Sequence, residues 1–396
     1  MNTQEATLNL KNIFVSLNYD NECEEYNIIK NNFCGHKYLE WAEYIKADLK
    51  GNLVYIAGDL HEALRHPNIR DARISIIDNF VTKFDTYINH VKIHSSQVPL
   101  NVGGGVFVRN FFPQNNFADI ESEHKFQNLT ESNKPGCAYR KGIYLSEVTH
   151  FEEKTYFNLL RCSTNLDGPT EGFKDTDKQI LEYINEHLSD YFDNFAPVNH
   201  VLAQIYYNAS DSGKQKKGKI SEHSDKTKDM PSEGVIAFAT FYKGLDDVKK
   251  QNKIVSEDIC DWANKRGVSV FTQMAFRNKT DETKNFSIKL YPNSLFVIPL
   301  SLNREFTHRI VPSPLDISDI PTRMGYVARC SNTKAVYFEG KTHIILDSDY
   351  IPLAPEKSET TKLIKKIYRD ENLETFRVNY PFIEFSFNTG DYMKPQ

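Results

Sequence analysis

After Pro197 the chain breaks into a succession of short β-rich runs, and this limits its fold more than any other feature. The runs are VLAQIYY (201–207), GVIAFATFY (234–242), SVFTQMAFR (269–277), FSIKLY (286–291), SLFVIPL (294–300), FTHRIV (306–311) and MGYVARC (324–330). Segments this short cannot bury an apolar face alone, so they must stack as a sandwich, barrel or jelly roll. The preceding half reads differently. TDKQILEYINEHLSDYF (176–192) has the spacing of an amphipathic helix, with Thr176 as its candidate cap. FCGHKYLEWAEYIKADLKG, ending at Gly51, reads as a helix, and so does DARISIIDNFVTKFDTYINHVKI. In the second, Ile74, Ile76, Ile77, Phe80, Phe84 and Ile88 fall near one face.

Three further segments complete the outline. VPLNVGGGVFVRNFFP carries Gly103, Gly104 and Gly105 with no Lys-Ser/Thr after them, which predicts a turn between strands, not a phosphate loop. The polar stretch 115–135 reads as a loop or insertion, and ETTKLIKKIYRDEN (359–372) as a basic helix before a β-rich tail. The expectation is an α+β chain with a mixed α/β region over 1–170, a β-rich core over 171–335 and a C-terminal extension over 336–396.

Composition excludes several classes. The six cysteines are scattered without a CxxC pair, against a disulfide framework or zinc knuckle and in favour of a reducing, intracellular compartment such as the cytoplasm. No stretch approaches a membrane span, and MNTQEATLNLKN lacks the basic-then-apolar order of a signal peptide. A net charge of -5 gives no global footprint for nucleic acid.

Chemistry concentrates in GKISEHSDKTKDMP (218–231), where His223 and Asp225 stand two apart and so share a face of an extended strand. A second histidine, His308, lies in the later run REFTHRIVPS. Two imidazoles and one carboxylate on one face of an octahedron form the site of non-haem Fe(II) oxygenases, with adjacent positions open for a bidentate co-substrate and dioxygen. By affinity alone the same set accepts other divalent metals. Beyond His308, PTRMGYVARCS carries Arg323 and Arg329, six apart and again on one strand face. A buried guanidinium is the natural grip for the distal carboxylate of 2-oxoglutarate. Arg323 is the candidate for that role, and Arg329 for bracing Asp225 or the other carboxylate.

In this order the motifs resemble the AlkB-like branch of the 2-oxoglutarate/Fe(II)-dependent dioxygenases. APVN (196–199) is followed by Gln204-Ile205-Tyr206, Ile220, His223-Ser224-Asp225, His308 and the Arg323–Arg329 pair, a match over roughly 176–332. The resemblance implies a double-stranded β-helix (jelly-roll) catalytic core with flanking helices, binding Fe(II), 2-oxoglutarate and dioxygen. It also implies that Tyr206 hydrogen-bonds 2-oxoglutarate, while Gln204 stands where the family has Asn. The implied reaction decarboxylates 2-oxoglutarate to succinate and hydroxylates or oxidatively dealkylates an organic substrate. Two departures stand out. A polar loop, NASDSGKQKKGK, separates Tyr206 from the H-x-D, and about eighty residues, with an expected inserted helix in 244–267, separate Asp225 from His308. Residues 1–170 match no nucleotide-recognition lid.

The substrate stays open between two classes. Lys214, Lys216, Lys217 and Lys219, with Lys226 and Lys228, would suit the phosphates of a nucleic acid. The acidic balance and the unmatched N-terminal half suit a small molecule, amino acid or peptide instead. A non-catalytic jelly-roll binding module is the alternative outside enzymes. His90 and His94, at i,i+4 spacing but without the glutamate of an HExxH motif, leave a metallohydrolase as a weaker one, and His150 with Glu152 reads as surface.

Overall fold

The computed structural model describes residues 4–19, 24–77, 89–91, 97–130, 137–162, 166, 168–211, 213–251, 264–265 and 267–396. It is a mixed α/β chain whose strands fall into several sheets. The site-bearing strands are β1 (Leu100–Val102), β2 (Gly105–Val108), β3 (Cys137–Ser146), β4 (Glu171–Gly172), β5 (His200–Tyr206), β6 (Ile220–His223), β7 (Val235–Lys243), β8 (Gln273–Asn278), β9 (Phe286–Lys289), β10 (Ser294–Pro299), β11 (Phe306–Val311) and β12 (Thr322–Arg329). Two helices matter here, α1 (Asp175–Tyr191) and α2 (Ser358–Leu373).

A nine-stranded sheet runs in the order β4-β3-β5-β12-β7-β10-β2-β1, with Gln127–Thr130 pairing to β3. It is antiparallel throughout except where β3 meets β4. Its strands come from both sides of residue 170. Strand alternation gives this sheet two different faces. On β5, β7 and β12, residues Val201, Ala203, Ala237, Ala239, Met324 and Ala328 pack against the helical stripe Ile180, Ile184 and Leu188 of α1. The opposite face meets a second, four-stranded antiparallel sheet ordered β6-β11-β8-β9. Phe238, Phe296 and Ile298 from the large sheet share one core with Met274, Phe276, Ile288 and Ile310 from the small one. The two layers therefore pack on each other through this shared core.

The N-terminal region corrects two expectations. Residues Arg73–Ile77, expected in a helix, form a strand of a five-stranded parallel sheet with His36–Tyr38, Ile13–Leu17, Leu53–Gly58 and Asn89–Val91. Buried parallel strands carry continuous apolar runs, which helical spacing also accommodates over so short a stretch. Phe80, Phe84 and Ile88 lie outside the described residues. The other expected helix resolves into strand His36–Tyr38 and a single helical turn, Trp41–Tyr44.

Elsewhere Gly103 and Gly104 make the expected turn, between β1 and β2, with φ of 61° and 97°. The stretch read as a loop at 115–135 contains helix Phe117–Glu123 and strand Gln127–Thr130. Part of the expected insertion is helical (Leu245–Gln251). Thr176 is not the cap of α1. Its hydroxyl donates to Glu123, while the carboxylate of Asp177 accepts from the Lys174 amide. The tail after α2 forms no strand, only a turn of 3-10 helix at Thr389–Tyr392. Among the described residues no helix is long and apolar enough to cross a membrane.

Candidate metal centre and anion cavity

His223 and His308 face each other as directly paired residues of the adjacent strands β6 and β11. Strand β6 ends at His223, so Asp225 lies in the irregular segment that follows and not on the strand. Its side chain still converges: Asp225 Oδ1 is 3.5 Å from His223 Nε2 and 3.9 Å from His308 Nε2. The ligand atoms of all three residues lie within 4.8 Å of one another.

Each member is held from behind. The Arg329 guanidinium donates through Nε and Nη2 to Asp225 Oδ2, at 3.0 and 2.8 Å, which leaves Oδ1 facing the imidazoles. Asp225 and Asn303 exchange a backbone amide and a side-chain amide bond, both 2.9 Å. Burial by itself would raise the Asp225 carboxyl. Arg329 and the two imidazoles outweigh it and hold the group well below the usual carboxylate range, so it is anionic. His308 is 3% exposed and packs between Phe238 and Phe276. Burial, reinforced by His223, pushes it down to about 3, leaving a neutral imidazole. His223 is nearer the mouth, and its Nδ1 lies 2.9 Å from the Ser221 carbonyl. That contact orients the ring so that Nε2 faces Asp225. One anionic oxygen and two imidazole nitrogens form a donor set that fits a divalent cation of the iron, manganese or zinc kind.

The segment carrying Asp225 is also gripped by the end of α2, a contact between residues nearly 150 apart that no local sequence signal announces. Asn372 Oδ1 accepts from the Ser224 amide at 2.8 Å and from Lys226 Nζ at 2.9 Å. Glu371 accepts from the Thr227 amide and hydroxyl.

The three residues open into a cavity of about 570 Å³. Its floor is the inner face of β3, β5 and β12. Gln204, Tyr206, Arg323 and Arg329 all line it, as the two-residue period requires. The Arg323 guanidinium lies 3.9 Å from the Tyr206 ring centroid, and the Tyr206 hydroxyl donates to Gln204 Oε1 at 2.9 Å. Arg323 is 4% exposed, yet its Nε and Nη2 have no hydrogen-bond partner among the described residues. A buried, unpartnered guanidinium beside a cavity fits a carboxylate ligand. Room for it comes from Gly325, where an added Cβ would lie 2.8 Å from Arg323 Nη1 and 3.4 Å from the Tyr206 ring.

The basic cluster noted in the sequence divides. Lys214, Lys216 and Lys219 are exposed. Lys217 donates to the carbonyls of Ser313 and Leu315, Lys226 to Tyr368 and Asn372, and Lys228 to Asp229. His150 and Glu152 lie on the surface, and His94 is outside the described residues.

A second cluster of ligand-type residues, Glu123, His124 and Asp177, escaped the sequence reading because its members converge only in three dimensions. His124 is clamped between Glu171 (2.9 Å) and Asp177 (2.7 Å). Burial opposes its charge, but the two carboxylates prevail and raise it to about 9. His124 with Glu171 and Asp177 forms a buried ion-pair brace.

No protein-family model matches the sequence, and no curated protein matches it. Among solved structures, a Pseudomonas putida prolyl-4-hydroxylase aligns over 58% of this chain and 93% of its own, at 10% identity and a TM-score of 0.32. OsALKBH1 aligns over 58% and 99%, at 11% identity and the same TM-score of 0.32. Likenesses of this strength carry no argument about the chain.

Proposed function

We propose that this chain is an Fe(II)- and 2-oxoglutarate-dependent oxygenase built on a double-stranded β-helix, the two facing antiparallel sheets. The observation that carries the reading is the convergence of His223, Asp225 and His308 on a cavity that also holds an unpartnered, buried Arg323. His223, Asp225 and His308 would hold the iron. Arg323 would take the distal carboxylate of 2-oxoglutarate, with Tyr206 supporting its guanidinium and Gln204 fixing the tyrosine hydroxyl. Arg329 keeps Asp225 ionised and aimed. Bound there, the metal and co-substrate would supply oxidative decarboxylation to succinate and carbon dioxide, coupled to hydroxylation or dealkylation of an organic substrate. The walls Leu202, Phe238, Met274, Leu290, Ile310 and Val327 would exclude water.

The internal bonds of Lys217, Lys226 and Lys228 favour a small molecule, amino acid or peptide over a nucleic acid as substrate. The test is succinate release from 2-oxoglutarate by the Fe(II)-loaded protein in air. The wild type should release succinate and Asp225→Ala should not. Release unaffected by Asp225→Ala would contradict the assignment.

A further inference from the structure

Tyr206 has an arginine on each side. Register pairs Arg140 of β3 with Tyr206 of β5, and Tyr206 with Arg323 of β12. The three side chains therefore stand in one row on the cavity face, and all three line the cavity. The Arg140 guanidinium lies 6.0 Å from the Tyr206 ring centroid. Its Nε is shielded from solvent and has no hydrogen-bond partner among the described residues. Among the described residues neither Arg140 nor Arg323 meets a carboxylate.

The charges in the lining do not balance. It contains two carboxylates, and both are engaged: Glu222 by Arg277 and Asp225 by Arg329. Lys219, exposed at the rim, adds further positive charge. Once a dicarboxylate co-substrate binds with one end at the metal centre and the other on Arg323, Arg140 is still without a counter-ion. A half-buried guanidinium whose Nε is cut off from water at a cavity wall is favoured by an anion that meets it. Leu129 and Leu202 supply a small apolar wall nearby, and Gly142 keeps the floor low beside Gln204.

We propose that Arg140 binds an anionic group, carboxylate or phosphoryl, of the primary substrate, which is then a small anionic molecule held across Tyr206 from the co-substrate. This assignment rests on the oxygenase reading for the role of Arg323.

The test uses calorimetry on the full-length Mn(II)-loaded protein without oxygen. Titrated with 2-oxoglutarate, Arg323→Gln should lose at least about tenfold in affinity, whereas Arg140→Gln should stay within about twofold of wild type. With 2-oxoglutarate saturating, acetate and inorganic phosphate are then titrated separately. Wild type should bind one of them at least about tenfold more tightly than Arg140→Gln, and Arg140→Lys should recover part of that difference. A preference for acetate identifies a carboxylate substrate, and a preference for phosphate a phosphoryl one. Equal anion binding by wild type and Arg140→Gln, with both folded by thermal melting, would overturn the proposal. So would a loss of 2-oxoglutarate by Arg140→Gln as large as that of Arg323→Gln. The anion titration is repeated without metal in the Arg323→Gln background. If wild type fails to bind 2-oxoglutarate the oxygenase reading falls alone, and in this metal-free background a loss of acetate or phosphate binding on adding Arg140→Gln still supports the role of Arg140, while no loss overturns it.

Discussion

Asp225 has one oxygen on Arg329 and the other facing two imidazoles, so its charge is balanced from one side only. Removing one partner of a buried ion pair leaves an uncompensated charge, at a cost of about 3 kcal/mol or more. Arg329→Met should therefore lower the urea-unfolding free energy by about that amount without metal, and Mn(II) should restore part of it by supplying a new counter-charge. A loss equal with and without Mn(II) would separate Arg329 from the metal centre. Gly325 gives a complementary prediction. Gly325→Ala would push the flexible end of Arg323 aside without touching the metal ligands. It should weaken 2-oxoglutarate binding by about tenfold and leave Mn(II) affinity and melting temperature nearly unchanged. Unchanged 2-oxoglutarate affinity would mean that the carboxylate sits elsewhere. At this scale the sequence was informative, because a two-residue period puts Arg323 with Arg329, and Gln204 with Tyr206, on one face of a strand. Arg140 was missed because its significance depends on which strand lies beside β5.

Among the elements, α2 was legible as a helix and its purpose was not. Its last turn grips the backbone between two candidate ligands through Asn372, which holds the Ser224 amide, and the backbone just beyond them through Glu371, which holds that of Thr227. Asn372→Leu should weaken Mn(II) binding by about tenfold and alter the Co(II) absorption spectrum, and Asn372→Asp, which keeps the acceptor oxygen, should recover most of both. If Asn372→Leu binds Mn(II) like wild type, the helix only packs against the site. The strands of the β-rich half announced themselves by length, composition and turn residues. The strand Arg73–Ile77 did not, since RISII continues into an apolar pattern that suits a helix equally well. Pairings such as β3 with β5, or α2 with the segment at Asp225, are long-range choices that local patterning does not encode.

Across the whole molecule, one buried network ties α1 to the edge strand β4 and the interior strand β12 of the large sheet. His124 bridges Glu171 of β4 and Asp177 of α1, and Asp177 Oδ1 accepts from Tyr326 of β12 at 2.9 Å. The folded state raises His124 from 6.5 to about 9, so its contribution is complete below pH 6.5 and lost as pH rises through 9. Urea unfolding of wild type should lose on the order of 3 kcal/mol between pH 6 and 9.5 that His124→Gln does not lose. Parallel pH profiles for the two proteins would show that His124 is not charged in the fold.

Anaerobic titration of the Fe(II)-loaded protein with 2-oxoglutarate probes the cavity between the two facing sheets. The account predicts a weak visible metal-to-ligand charge-transfer band that saturates with one equivalent and is lost in His308→Ala. A folded, iron-loaded protein that develops no such band, or a band that survives His308→Ala, would contradict it.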